Sequence, residues 1–315
     1  MQLFFCSRDE SIFVRQDLVK NWPIYYALDQ NWMEYMLTIE ANAKINLALD
    51  VVADLTNGYH EVDMIMQAIS LADRITIEPN QNIELTCTNP IIPTDQRNLA
   101  WRAVELLQKE TGITDGVKIH IEKWIPAAAG LAGGSTDAAA VLIGLNQLWN
   151  LGFDNERLMQ LGLKLGADVP FCIMGKTARA QGIGEVLTRI DTTMNCNLLL
   201  ITPNIEVSTA LIYQSLNTPE IKNHPQIDQA IAALKANDLE CLTKNWGNVL
   251  EEVVFNKFPS VAALKQLLIN EFNTDRVLMS GSGPSIFVLE PDLNKVESVK
   301  KLLPAGCFCA MTQFL

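Results

Sequence analysis

The stretch Pro126-Ala127-Ala128-Ala129-Gly130-Leu131-Ala132-Gly133-Gly134-Ser135-Thr136-Asp137-Ala138-Ala139-Ala140 constrains this chain more than any other. Gly130, Gly133 and Gly134 open backbone conformations closed to other residues and let the main chain approach a ligand closely. The alanine-rich continuation predicts a helix over about 134–149, so the loop runs straight into a helix N-terminus. There the unpaired N–H groups of the first turn, with the macrodipole behind them, form an anion site. Ser135 and Thr136 add hydroxyl donors. A helix capped by Ser135 and packed through small residues is the plainer reading. Three glycines and two hydroxyls exceed what a cap requires, and they favour a phosphate. The spacing is that of neither a Walker loop, which carries a lysine, nor the dinucleotide G-x-G-x-x-G.

A phosphate loop without its own lysine takes one from elsewhere, and Lys44 is the candidate. Residues 38–52 alternate as a strand, with Ala43, Ile45, Leu47 and Leu49 on one face and Lys44, Asn46 and Ala48 on the other. An ordinary solvated face accounts for Lys44 equally well. Asp168 stands in Leu165-Gly166-Ala167-Asp168-Val169-Pro170-Phe171, between small and apolar residues. It is either a turn aspartate bonding its own backbone or a general base for a hydroxyl. Met279-Ser280-Gly281-Ser282-Gly283-Pro284-Ser285 is a second glycine loop, suited to a close approach to the first or to a bare turn. Tyr59, His60 and Tyr213 are candidates for stacking on a base, although scattered aromatics belong more often to the core.

Composition excludes several classes. The net charge of −12 over 315 residues argues against sequence-independent nucleic-acid binding, which needs clustered Lys and Arg. Seven scattered cysteines without a C-x-x-C pair read as reduced packing residues of a cytoplasmic protein. Three separated histidines show no metal-ligand spacing, so no metal site is expected. No apolar run is long enough to span a membrane. Residues 1–35 carry charges that break any signal-peptide core, and they read as an N-terminal extension or a mis-set start.

Along the chain, Asn57-Gly58 signals a tight turn, with strands expected at 60–70, 74–79, 83–87 and 117–123 and a helix at 97–110. A helix at 155–165 stopped by Gly166 is followed by strand-like pieces at 171–174, 177–181 and 185–190. Then come strand 198–202, helices near 208–216, 226–236, 239–252 and 260–270, strands 276–280 and 285–289, helix 293–303 and strand 307–313. Strands and helices without regular βαβ alternation imply an α+β fold, divided into residues 36–194 and 195–315 with a ligand cleft between.

Several separate stretches, in order, make the chain resemble the GHMP kinase superfamily. They are Ala43-Lys44-Ile45-Asn46-Leu47, Gly58-Tyr59-His60, Asp95-Gln96-Arg97-Asn98-Leu99, Gly130 to Ala139, Gly166-Ala167-Asp168-Val169-Pro170 and Ser280-Gly281-Ser282-Gly283-Pro284. Gly58-Tyr59-His60 and Gly166-Ala167-Asp168-Val169 resemble the branch whose acceptor is a cytidine diphosphate-linked methylerythritol. The resemblance implies an N-terminal α/β domain with the ATP-binding loop and a ferredoxin-like C-terminal domain. It implies ATP-dependent phosphorylation of the acceptor's C2 hydroxyl on the non-mevalonate route to isopentenyl diphosphate, with Mg²⁺ carried by ATP. By motif match, Lys44 and Asp168 form the catalytic pair, Asp168 taking the hydroxyl proton while Lys44 keeps it ionised. The loop from Pro126 to Thr136 holds the phosphates, and Asn98 lies on the adenosine side. Tyr59 and Tyr213 sandwich the cytosine, His60 reads its edge, and Asn46 and Thr209 touch the substrate. The implied partner is a small molecule rather than nucleic acid or membrane, and the implied protein is a cytoplasmic monomer or homodimer.

Overall fold

A computed structural model describes residues 36–56 and 58–315; the readings made on residues 1–35 and on Asn57 lie outside them. In chain order the strands are β1 (Leu37–Asp54), β2 (His60–Asn80), β3 (Glu84–Cys87), β4 (Gly116–Glu122), β5 (Thr177–Gly182), β6 (Val186–Arg189), β7 (Asn197–Thr202), β8 (Gly247–Asn248), β9 (Val277–Met279), β10 (Ile286–Leu289) and β11 (Phe308–Gln313). The α-helices are α1 (Leu99–Thr111), α2 (Gly133–Leu148), α3 (Asn155–Leu163), α4 (Val169–Met174), α5 (Thr209–Gln214), α6 (Ile227–Ala236), α7 (Leu239–Asn245), α8 (Leu250–Lys257), α9 (Pro259–Phe272) and α10 (Leu293–Leu302).

Two long antiparallel strands carry the first sheet. β1 pairs with β2 over nearly its whole length, so the strands expected at 60–70 and 74–79 are one continuous element. The other edge of β2 is shared: Arg74–Asn80 pairs with β4, and Val62–Gln67 with β5. The order is β3-β4-β2-β1-β8, with β6 beyond β5. The second sheet runs β11-β7-β10-β9, every neighbour antiparallel. Counted along the chain, its strands stand fourth, first, third, second, the ferredoxin-like order. The chain passes from the first sheet to the second between β6 and β7, and β8 and an Ile69–Phe314 bridge return to the first.

Three local expectations change. Residues 171–174 are helical, because Asp168 heads α4 and Pro170 sits in its first turn, where a missing N–H costs nothing. The helix expected over 239–252 is broken at Trp246 (ψ 172°), freeing Gly247 and Asn248 to pair parallel with Ala48 and Leu49. In β1, irregularities between Asn42 and Lys44 and between Asn46 and Ala48 shift the alternation. Ala48 therefore joins Ala43, Ile45 and Leu47 in one apolar cluster, while Leu49 turns to the side of Lys44 and Asn46.

What fixes α2 in place is small-residue packing. Ala138, Ala139, Val141, Leu142 and Leu145 pack on Ala103, Val104 and Leu107 of α1 and on Ile75, Ile77, Ile119 and Ile121 of the sheet. A Cβ on Gly144 would stand 2.6 Å from Ile77. Each fully buried aliphatic here contributes about 1.5–3 kcal/mol, so the N-terminus of α2 rests on a rigid base. The described cysteines are all free thiols.

Candidate active site

A cleft of about 840 Å³ opens at the N-terminus of α2. Its walls come from β1, the start of β2, the first glycine loop, residues 167–168, α5 and the second glycine loop.

The first loop is held in left-handed backbone conformations at Ala128 (φ 49°), Gly130 (φ 74°) and Ala132 (φ 57°). For alanine this costs about 1–2 kcal/mol per residue, and strain of this kind gathers at functional sites. Ala132 is the N-cap of α2 and makes no side-chain cap bond; Ser135 lies inside the first turn and not at the cap. The capping alternative therefore fails, and no cap side chain covers the leading amides of the helix. Ala128, Ala129, Gly130, Ala132, Gly133, Gly134 and Ser135 line the cleft.

Other residues read as phosphate or nucleoside contacts stand away from it. Leu131 is buried in the core. Pro126 and Ala127 do not line the cleft. Thr136 is buried, and its hydroxyl donates to the Asn42 carbonyl at 2.8 Å. Asn98 caps α1, accepting from the Ala100 amide at 2.9 Å and donating to the Pro93 carbonyl at 2.8 Å.

Lys44 is no solvated lysine: it is 5% exposed. Its ammonium donates to Asn46 Oδ1 at 2.8 Å and lies 3.9 Å from the Asp168 carboxylate. Its backbone amide donates to Leu131 O at 3.2 Å, tying β1 to the loop. Asp168 makes no cap bond of its own to α4, so its carboxylate is directed to Lys44 and the cleft rather than to a local turn. It is the only carboxylate among the described residues that line the cleft.

Tyr59, His60 and Tyr213 all line the cleft. The His60 and Tyr213 rings lie 5.3 Å apart, tilted by 46°. His60 Nε2 is 3.3 Å from Asp54. Burial, and then the Asp168 charge, push the Tyr213 phenol up and keep it a neutral donor. Thr209 shares a hydrogen bond of 2.8 Å with Ser282, so the second glycine loop reaches the start of α5.

The sequence reading named Ser280 only as part of the second glycine loop and did not name Asn248; these two side chains hold the loop. Ser280, fully buried, accepts from the Asn46 amide at 3.3 Å and donates to Gly130 O at 2.9 Å. Asn248 donates to the carbonyls of Met279 and Gly281 at 2.8 and 2.7 Å. The Gly247-Asn248 pair inside the expected helix was the available signal. Among the described residues, no three His, Cys, Asp or Glu side chains gather as a metal site, and no helix is long and apolar enough to cross a membrane.

The chain matches the GHMP kinases N terminal domain over residues 98–176 and the GHMP kinases C terminal model over residues 230–307. It is 45% identical over 274 residues to a 4-diphosphocytidyl-2-C-methyl-D-erythritol kinase of Geobacillus thermodenitrificans, covering 86% of this chain and 94% of the relative. A Bacillus cereus protein of the same name is 47% identical over 273 residues, with the same coverage. The fold of this chain superposes on a crystal structure of 4-(cytidine 5'-diphospho)-2C-methyl-D-erythritol kinase with a TM-score of 0.74 and 32% identity, over 88% of this chain and 99% of that one.

Proposed function

The chain belongs to the GHMP kinases, among the 4-diphosphocytidyl-2-C-methyl-D-erythritol kinases, and from that membership we propose how its cleft works. The enzyme transfers a phosphoryl group from ATP to the C2 hydroxyl of its acceptor, a step on the non-mevalonate route to isoprenoids. The pairing of buried Lys44 with Asp168 at 3.9 Å, facing the uncapped end of α2, carries the assignment of roles.

ATP phosphates lie against the leading amides of α2 and the Ser135 hydroxyl. Asp168 accepts the C2 hydroxyl proton as that oxygen bonds to the γ-phosphorus; the bond to the bridging oxygen breaks and ADP leaves. Lys44, positioned by Asn46, offsets charge on the transferring group. Little covalent chemistry is required, so positioning and charge stabilisation dominate. Tyr59 and Tyr213 flank the cytosine, His60 reads its edge, and Thr209 and Asn46 touch the acceptor. A cleft with one carboxylate is no cage for Mg²⁺, and it suits an ion that arrives on ATP and keeps phosphate and water ligands, where it neutralises phosphate charge. The proposal includes domains at 36–194 and 195–315, a cytoplasmic location, and action as a monomer or homodimer without nucleic acid.

Coupled ADP release with Mg-ATP and the cytidylated acceptor tests this reading. Asp168→Asn is expected to lower kcat by about 10²–10⁴-fold. Unchanged turnover in that variant would remove Asp168 from the role of base.

A further inference from the structure

Behind the phosphate loop, outside the cleft, three charged side chains are buried together. Lys123, just beyond β4, donates to Asp137 of α2 at 2.8 Å and to Asp73 of β2. Their side chains are 3%, 2% and 0% exposed, respectively. Asp73 is fully used: its second oxygen accepts the Trp124 and Ile125 amides at 2.6 and 2.8 Å. Asp137 is not, because its Oδ1 has no hydrogen-bond partner among the described residues.

One ammonium therefore serves two carboxylates. With both ionised the cluster holds a net negative charge in the interior; with Asp137 protonated it is neutral. Burying an uncompensated charge is costly, so burial pulls Asp137 towards its neutral form. Among the described residues, Lys123 is the one cation paired with Asp137. Towards Asp137, α1 buries only Ala100, Ala103, Val104 and Leu107, and β1 contributes Ala41. The remaining titratable groups that sense it are Cys87 of β3 and Cys172 of α4, thiols that burial pushes up and keeps neutral.

Location gives this charge a consequence. A Cβ on Gly133, the first residue of α2, would stand 3.0 Å from Lys123 Nζ. The cluster thus sits behind the amides that receive the phosphates, and Asp137 lies one turn into the same helix. A negative charge at that point opposes a polyphosphate; a neutral cluster does not.

We propose that Asp137 is a positioning residue whose proton is linked to nucleotide occupancy: a polyphosphate binding at the N-terminus of α2 draws a proton from solvent onto Asp137, and Lys123 holds the resulting neutral cluster. The inference rests on reading this loop as the ATP site. Burial and the Asp73 charge push the Asp137 carboxyl up to about 7, against the pull of Lys123, which leaves it poised to gain a proton near neutrality.

Calorimetric titration of Mg-ATP into the full chain at about pH 7.5, in buffers of different ionisation heat, reads the linkage directly. Mg-ATP has already shed its γ-phosphate proton in this range. The expected result is a buffer-dependent heat corresponding to uptake of about half a proton or more. Asp137→Asn should still bind while losing that dependence. Binding to the wild type with buffer-independent heat overturns the inference alone, whether or not the variant folds. An uptake retained in the variant overturns it too, by assigning the proton elsewhere. A chain that takes up no Mg-ATP overturns the ATP reading, and this inference with it.

Discussion

Ser280 donates its hydroxyl to the Gly130 carbonyl, 2.9 Å away and 150 residues earlier in the chain, and so closes the second glycine loop on the first. The approach leaves no room for a side chain: a Cβ on Gly130 would stand 2.2 Å from the Ser280 carbonyl oxygen, at a φ of 74° that alanine resists. Gly130→Ala must push the loops apart. Because misplacement of reacting groups by about 1 Å costs about 10²-fold, kcat/KM should fall by about that factor, read by ADP release. Ser280→Ala strands the Gly130 carbonyl and the Asn46 amide in the interior. It should lose about 1–3 kcal/mol in denaturant unfolding.

Ser135 and Thr136, adjacent hydroxyls in one motif, should part company on mutation. Ser135 lines the cleft, whereas Thr136 spends its hydroxyl on Asn42 O. Ser135→Ala should raise the KM for ATP several-fold, the value of one hydrogen bond of about 0.5–1.5 kcal/mol. Thr136→Val should leave that KM unchanged and cost about 1 kcal/mol of stability instead. Equal effects on ATP would mean that both hydroxyls reach the nucleotide.

Much of this site was legible because its motifs are local and chemically unusual. A glycine loop entering a helix, a lysine on an apolar strand and an aspartate before Val-Pro each violate the pattern around them. The structure brings Lys44, Asp168, Tyr59, His60 and Tyr213 to one cleft. What stayed hidden depends on pairing across the chain. Asp73 falls in the gap between the strands expected at 60–70 and 74–79; its burial is explained by Lys123, 50 residues away, and by the amides of Trp124 and Ile125. Leu49 changes face through a bulge, which periodicity cannot register. The helix expected through Gly247 breaks because β1 offers it a strand partner, a gain decided by tertiary packing rather than propensity.

Tyr213 should govern acceptor binding without touching ATP binding. Its half-buried ring lies 5.3 Å from that of His60, so one face of the pocket is already set before the substrate arrives. Stacking on a base is worth about 1–3 kcal/mol. Tyr213→Leu should therefore raise the KM for the cytidylated acceptor about 5–150-fold and leave the KM for ATP near its starting value. Steady-state kinetics with each substrate varied in turn separates the two. A rise confined to ATP would place the cytosine elsewhere.

Asp137 should also write itself into the pH dependence of stability, with a sign opposite to that of most carboxylates. Its carboxyl is pushed up to about 7 in the folded protein, first by burial, while the unfolded chain titrates near 3.9. Between those values the folded state keeps a proton that the unfolded state has lost. Stability from this residue is therefore whole below about pH 4 and declines as pH rises towards about 7, above which it stays flat. Exposed carboxylates paired with lysine or arginine, such as Glu240 beside Lys244, are pulled down instead and contribute the reverse slope in acid. Urea unfolding of the wild type and of Asp137→Asn from about pH 5 to 8 isolates the difference. The wild type should lose stability relative to the variant as pH climbs through this window. A constant difference would mean that Asp137 stays ionised throughout, with Lys123 alone balancing both carboxylates.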